Sequence, residues 1–116
     1  MTLVNLAGDL DESDNGSRIV KEALKTPFVH IMENAGLNAQ ALLAEVESAK
    51  PGFGVNVMKP DDGLVDLKKT GVIDPAKVTK EAVKNATSIA ATAITMGALI
   101  CEIPEEKPIS PAPEMY

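Results

Sequence analysis

The segment Gly71-Val72-Ile73-Asp74-Pro75-Ala76-Lys77-Val78 constrains this chain more than any other, because it closes one element and opens the longest one. An Asp-Pro pair predicts a helix start. The carboxylate can accept from the open amides of the first turn, and proline at the first helical position gives up only an amide that had no partner. Beyond it Val78, Ala82, Ala86, Ile89, Ala90, Ala93, Ile94 and Gly97 recur at spacings of three and four, which places them on one stripe of a helix running to about Met96. So many alanines let a neighbouring helix approach closely. The stripe therefore reads as the core face of a packed helical layer, and the chain as mainly α.

With 116 residues the chain is one domain at most, and a domain of this size buries roughly two-thirds of the surface exposed by its unfolded chain. Hydrophobic residues make up 45% but aromatics only 3%, with no Trp, so the core must be aliphatic. A net charge of −6, from 11 basic against 17 acidic residues, argues against a nucleic-acid partner. No apolar run approaches the ~20 residues that span a bilayer, and the start Met1-Thr2-Leu3-Val4-Asn5-Leu6 lacks a basic n-region, so no membrane partner is expected and the cytoplasm is the expected compartment. Cys101 alone can form neither an internal disulfide nor a metal cluster. It reads as a small apolar filler at the end of an apolar run rather than as a reactive thiol.

Taken in order, Leu3, Leu6, Ala7 and Leu10 have helical spacing and read as the end of an amphipathic helix over residues 2 to 10 whose beginning is missing. Asp11 to Ser17 reads as a polar loop. Ile19, Val20, Ala23, Leu24, Phe28, Ile31, Met32 and Ala35 mark a second helix, with Pro27 inside it at a cost of ~3 kcal/mol unless the helix kinks. Gly36 supplies a left-handed closing residue, and Asn38 can cap a third helix from Ala39 to Ser48. Lys50-Pro51-Gly52 breaks the pattern, and Phe53 to Met58 is a short strand or hairpin arm followed by a turn at Lys59 to Gly63. Leu64 to Lys69 is predicted as a brief helix closed by Thr70-Gly71. Leu99 to Ile103 is predicted as a short C-terminal strand, and residues 104–116, with Pro104, Pro108, Pro111 and Pro113, as a disordered Pro-rich tail.

The run from Gly71 to Ala90, Gly-Val-Ile-Asp-Pro-Ala-Lys-Val-Thr-Lys-Glu-Ala-Val-Lys-Asn-Ala-Thr-Ser-Ile-Ala, resembles the last long helix of the equatorial domain in group I chaperonins, the GroEL family. Phe53-Gly54-Val55-Asn56 is similar to that family's Gly-aromatic-Gly-aromatic-Asn turn, and Glu33-Asn34-Ala35-Gly36 to its helix-ending Asn-Cys/Ala-Gly. The resemblance covers residues 1 to 103 and corresponds to the C-terminal part of a longer family member. It implies part of a chaperonin equatorial domain: a partial helical layer, a short β-hairpin and a C-terminal strand. It also favours one kinked helix around Pro27, since family members carry a proline at the matching place.

The resemblance implies a nucleotide site as well. The family's adenine and ribose rest against an Asn-Ala-Ala turn and an apolar-x-Asp preceding the long helix. Carried over, this assigns Asn56 to the asparagine, Val57 and Met58 to the two alanines, Val72 to the apolar contact and Asp74 to the ribose hydroxyls. Val57 and Met58 are larger than alanine, and Lys59 to Gly63 is longer than the family's turn, so bulk lies beside the base. The simpler role for Asp74 is helix capping, which competes for the same oxygens. The implied cofactors are ATP and Mg, with the metal site outside this chain, because the phosphate-cradling Gly-Asp-Gly-Thr-Thr and the catalytic aspartate are not in this sequence. No catalytic residue is therefore assigned here, although the full-length family hydrolyses ATP. The implied partners are other chaperonin subunits in a homo-oligomeric ring and unfolded client proteins. The competing expectation is a free-standing helical protein-interaction module without ATPase activity.

Two other constellations are weaker. Asp11-x-Ser13-x-Asn15-Gly16 followed by Glu22 satisfies the spacing of a calcium loop, but Arg18 stands where an apolar anchor belongs, and a polar interhelical loop explains it as well. His30 has no Cys, Asp or second His at ligand spacing and reads as a solvated residue. No metal site is assigned.

Overall fold

The computed structural model describes residues 1–102, which form two compact units, one spanning Met1–Asp74 and the other starting at Pro75. The first unit holds three helices, α1 (Thr2–Asp9), α2 (Asn15–Asn34) and α3 (Ala39–Glu47), and a hairpin of β1 (Phe53–Val55) and β2 (Leu64–Asp66). The second holds α4 (Ala76–Thr95). Mainly helical architecture with one short antiparallel hairpin agrees with a partial chaperonin equatorial domain. The predicted tail at 104–116 and the last residue of the predicted strand, Ile103, lie outside the described residues.

Capping chemistry sets the limits of α2. Asp14 accepts from the Ser17 backbone amide at 2.9 Å and from the Ser17 hydroxyl at 2.8 Å, so the helix starts at Asn15, inside the stretch expected to be loop. The apolar period becomes visible only a turn later, at Ile19. At the other end Gly36 adopts φ 74°, the Leu37 amide donates to the Met32 carbonyl and the Gly36 amide to the Glu33 carbonyl, each at 2.9 Å. This is the paired closure that a left-handed glycine makes possible. The helix runs continuously through Pro27, whose side chain is exposed. Asn38 then caps α3, its Oδ1 accepting from the Ala41 amide at 3.2 Å.

The core of the first unit is built from Val4 and Ala7 on α1, Phe28 and Met32 on α2, Ala39, Leu43 and Val46 on α3, and Val55 on β1. Met1, Leu37, Leu42 and Val57 close over it. Gly54 is buried between Met1 and Leu67, and a Cβ there would meet the Met1 Cγ and Sδ at 2.7 Å. A side chain there would have to displace the Met1 and Leu67 side chains that cover the strand. On the rim, Lys25 of α2 bonds Glu47 of α3 at 3.1 Å and Glu22 of its own helix at 3.2 Å.

The segment expected as a brief helix at Leu64 to Lys69 is instead strand and turn. Phe53 faces Asp66, Gly54 faces Val65 and Val55 faces Leu64, an antiparallel register that gives β1 its only partner among the described residues. Asp66 Oδ1 then accepts from the Lys68 and Lys69 amides at 3.1 and 3.2 Å, and Thr70 N donates to the Asp66 carbonyl at 3.0 Å. One helical turn forms there and stops at Gly71, φ 75°. Pairing with a neighbouring strand outweighs local preference for so short a segment.

The second unit departs further from expectation. No residue of α4 is buried: on the predicted core stripe Ile89 is 71% and Ile94 83% exposed, and Gly97 lies beyond the helix end. The Thr87, Ser88, Thr92 and Thr95 hydroxyls all donate to carbonyls of the preceding turn. Leu99 to Glu102 forms no strand, since nothing among the described residues pairs with it. Cys101 is exposed rather than acting as buried filler.

Two outcomes follow from this packing. Phe28→Ala and Met32→Ala each destabilise the chain by ~2–5 kcal/mol through the cavity they leave, whereas Ile89→Ala changes it by less than ~0.5 kcal/mol, as exposed positions do; urea melts read both. The Lys25 ammonium is held above the ordinary lysine value, chiefly by its bond to Glu47 with Glu22 assisting against desolvation. A raised folded-state pKa means that this stabilisation is complete below the ordinary lysine value and is lost as pH rises through the folded one. Alkaline melts should therefore show a loss of stability that Lys25→Met abolishes.

Candidate functional site

The five residues assigned to a nucleotide site all lie in the first unit, in two groups. Asn56 follows β1 directly, and its Oδ1 accepts from the Met58 amide at 3.1 Å while its carbonyl accepts from the Lys59 amide at 2.9 Å. This Asx turn fixes the backbone of Asn56, Val57 and Met58. Val57 turns its side chain toward the core, and Met58 is 85% exposed. Pro60–Asp62 adds a turn of 3-10 helix, and Gly63, φ 64°, returns the chain to β2.

The second group sits at the other end of the hairpin. Leu67 N donates to the Gly52 carbonyl at 3.1 Å, one step past the ladder, and Val72 N donates back to the Leu67 carbonyl at 2.9 Å. Val72 is thus held near the open end, ~10 Å along the hairpin from Asn56 at the rise of a β-strand, with Asp74 two residues further on. Val72 is 44% exposed. The structure gathers Asn56, Val57 and Met58 in one turn and Val72 and Asp74 after another, and no hydrogen bond joins the two groups.

Asp74 is not the helix cap that the Asp-Pro pair predicts. Pro75 takes the cap position itself: its ψ of 124° is extended, its carbonyl accepts from the Val78 amide at 3.0 Å, and α4 begins at Ala76 without a side-chain cap. Asp74 therefore stands one residue outside the cap. Its carboxylate is exposed and makes no hydrogen bond among the described residues, so both oxygens are available to a ligand.

The calcium pattern does not form a loop. Asn15 to Glu22 is helical, Asp14 is engaged by Ser17, and Glu22 bonds Lys25. A shallow hollow at this end of α2 is lined by Glu12, Asn15, Arg18, Ile19, Lys21 and Glu22. Lys21 bonds Glu12 across it at 2.6 Å and holds the Glu12 carboxyl below its usual range, so the hollow brings its own cations. Among the described residues no three His, Cys, Asp or Glu side chains cluster where a metal could sit. His30 is exposed on α2, with Nδ1 3.5 Å from a Glu33 carboxylate oxygen. Sequence reasoning missed the Lys25 bridge and the Asp66 turn. The second had a signal, an Asp directly ahead of a Leu-Lys-Lys-Thr-Gly break, that periodicity obscured.

Residues 5–104 match the TCP-1/cpn60 chaperonin family. The chain belongs to this family, whose members assist the folding of client proteins as oligomeric assemblies. No helix among the described residues is long and apolar enough to cross a membrane.

The caps provide a direct check. Asp74→Ala leaves the helicity of α4 unchanged in circular dichroism, because no cap bond is lost, whereas Asn38→Ala removes a formed cap and costs ~1 kcal/mol.

Proposed function

We propose that this chain supplies the C-terminal part, residues 1–103, of the equatorial domain of an ATP-dependent chaperonin of the group I type, working in the cytoplasm. In this reading it contributes the nucleoside side of the ATP pocket and part of the contact between ring subunits. The observation that carries the pocket assignment is Asp74, whose carboxylate precedes the long helix yet is left free of capping. Two acceptor oxygens suit the paired hydroxyls of a ribose. Val72 offers an apolar edge for adenine, and in this reading the exposed Met58 in the Asx turn meets the base from the other side, with Val57 backing that turn from the core.

The residues fit the nucleoside and nothing further. No phosphate-cradling Gly-Asp-Gly-Thr-Thr stands in the sequence, and among the described residues no acidic cluster suits Mg. Bound ATP supplies the free energy for the folding cycle, while the groups that hold its phosphates and metal belong to another part of the domain. What these residues do is bind and orient: Asp74 selects ribose, and Val72 and Met58 exclude water from the base.

Titration of the isotopically labelled chain tests this. Adenosine and ATP should perturb the same amides, at Asn56–Met58 and Val72–Asp74, with equally weak affinity, and Asp74→Ala should erase the preference for adenosine over adenine. Perturbations confined to other residues, or a micromolar affinity for ATP over adenosine, would contradict the assignment.

A further inference from the structure

The chain has six asparagines, and only Asn15 is followed by glycine; Asn5, Asn34, Asn38, Asn56 and Asn85 each precede a residue with a side chain. An Asn-Gly pair is chemically special because the glycine amide reaches the asparagine side-chain carbonyl without obstruction from a Cβ. Here the pair occupies the first two positions of α2, and both residues are exposed. The Gly16 amide is one of the first-turn donors that no backbone carbonyl accepts. What restrains the pair is Asp14, whose carboxylate binds Ser17 through both oxygens and also attracts the Gly16 amide. The cap carboxylate lies close over the glycine: a Cβ at residue 16 would meet Asp14 Oδ1 at 2.9 Å, a contact a small shift of the carboxylate relieves.

We propose that Asn15-Gly16 is a spontaneous modification site, a deamidation switch whose rate is governed by the Asp14 cap. When the first turn opens, the Gly16 nitrogen, having given its proton to water, attacks Asn15 Cγ. A nitrogen–carbon bond forms, the side-chain carbon–nitrogen bond breaks and ammonia leaves. Water then opens the resulting cyclic imide at either carbonyl, leaving an aspartyl or isoaspartyl residue. No oxidant or cofactor is needed, and the net change is one water consumed and one ammonia released. The new carboxylate lands in the hollow lined by Arg18 and Lys21, beside Glu12. The isoaspartyl product, with an extra backbone carbon, cannot keep helical geometry at that position and shortens α2 from its start.

Peptide mapping by mass spectrometry of the intact chain, aged in mildly alkaline buffer, tests the proposal. Asn15 should convert well ahead of the other five asparagines, and Gly16→Ala should slow the conversion there to the range of those five. Losing a cap worth ~1 kcal/mol raises the open population about fivefold, so Asp14→Ala should speed the reaction by about that factor. Asp14→Asn, which keeps a capping oxygen, should hold the original rate. Circular dichroism of each variant confirms that the helices remain. Conversion of Asn15 no faster than that of the other asparagines would overturn the site, and equal rates in Asp14→Ala and the unaltered chain would overturn its control by the cap.

Discussion

The first unit depends on one helix serving two neighbours. Phe28 and Met32 sit one turn apart on α2 and fill the space between α1 and α3, so that Val4 is covered from one side and Leu43 and Val46 from the other. Val55 joins the same cluster from β1, which anchors the hairpin to the helices. A 74-residue unit with so few aromatics has little apolar surface to spare. Its other devices, the Asp14 and Asn38 caps, the glycine closure after Asn34 and the Lys25 bridge, fix where the helices begin and end rather than adding much to the core.

The two units differ in what burial accomplishes. Of the stripes that periodicity predicts for α1 and α2, only Ala7 on α1 and Phe28 and Met32 on α2 are buried, while Leu6, Ile19, Val20 and Ile31 are exposed and Val4 takes a core place the spacing did not give it. The periodicity of α4 is at least as regular, yet its Ala and Ile stripe meets solvent. Twenty residues of moderate helix propensity with no buried side chain are marginal in water. In a family whose members work as assemblies, an amphipathic helix of this kind is made for a covering surface, and the proposed place of this chain in an equatorial domain supplies one.

Much of this was legible in residue types alone. Gly36 and Asn38 fixed the end of α2 and the start of α3, because closure and cap are written in single residues whose conformations the structure keeps. The fold class followed, and the family could be recognised from the run at Gly71 to Ala90. Three things were not legible. The start of α2 lay hidden because its first turn is polar, and only the Asp14–Ser17 geometry reveals it. The strand at Leu64–Asp66 depends on a partner eleven residues back, which a local period does not register. The Asp74-Pro75 pair reads as a cap at Asp74, but the extended ψ of Pro75 moves the cap to the proline and leaves Asp74 unbonded. Of the candidate site, the turn at Asn56 and the free carboxylate at Asp74 were foreseeable as residues but not as conformations.

The first unit has its own core, whereas no residue of α4 is buried. Native-state hydrogen exchange tests this difference directly. The amides of Phe28, Met32, Leu43 and Val46 should exchange only through global unfolding, and those from Val83 to Ile94 should exchange orders of magnitude faster in this chain. Addition of the remaining part of a chaperonin equatorial domain should then protect α4. Protection of Val83 to Ile94 equal to that of Phe28 and Val46 in the isolated chain, or no protection in the completed domain, would mean that α4 is not a helix left uncovered for a partner surface.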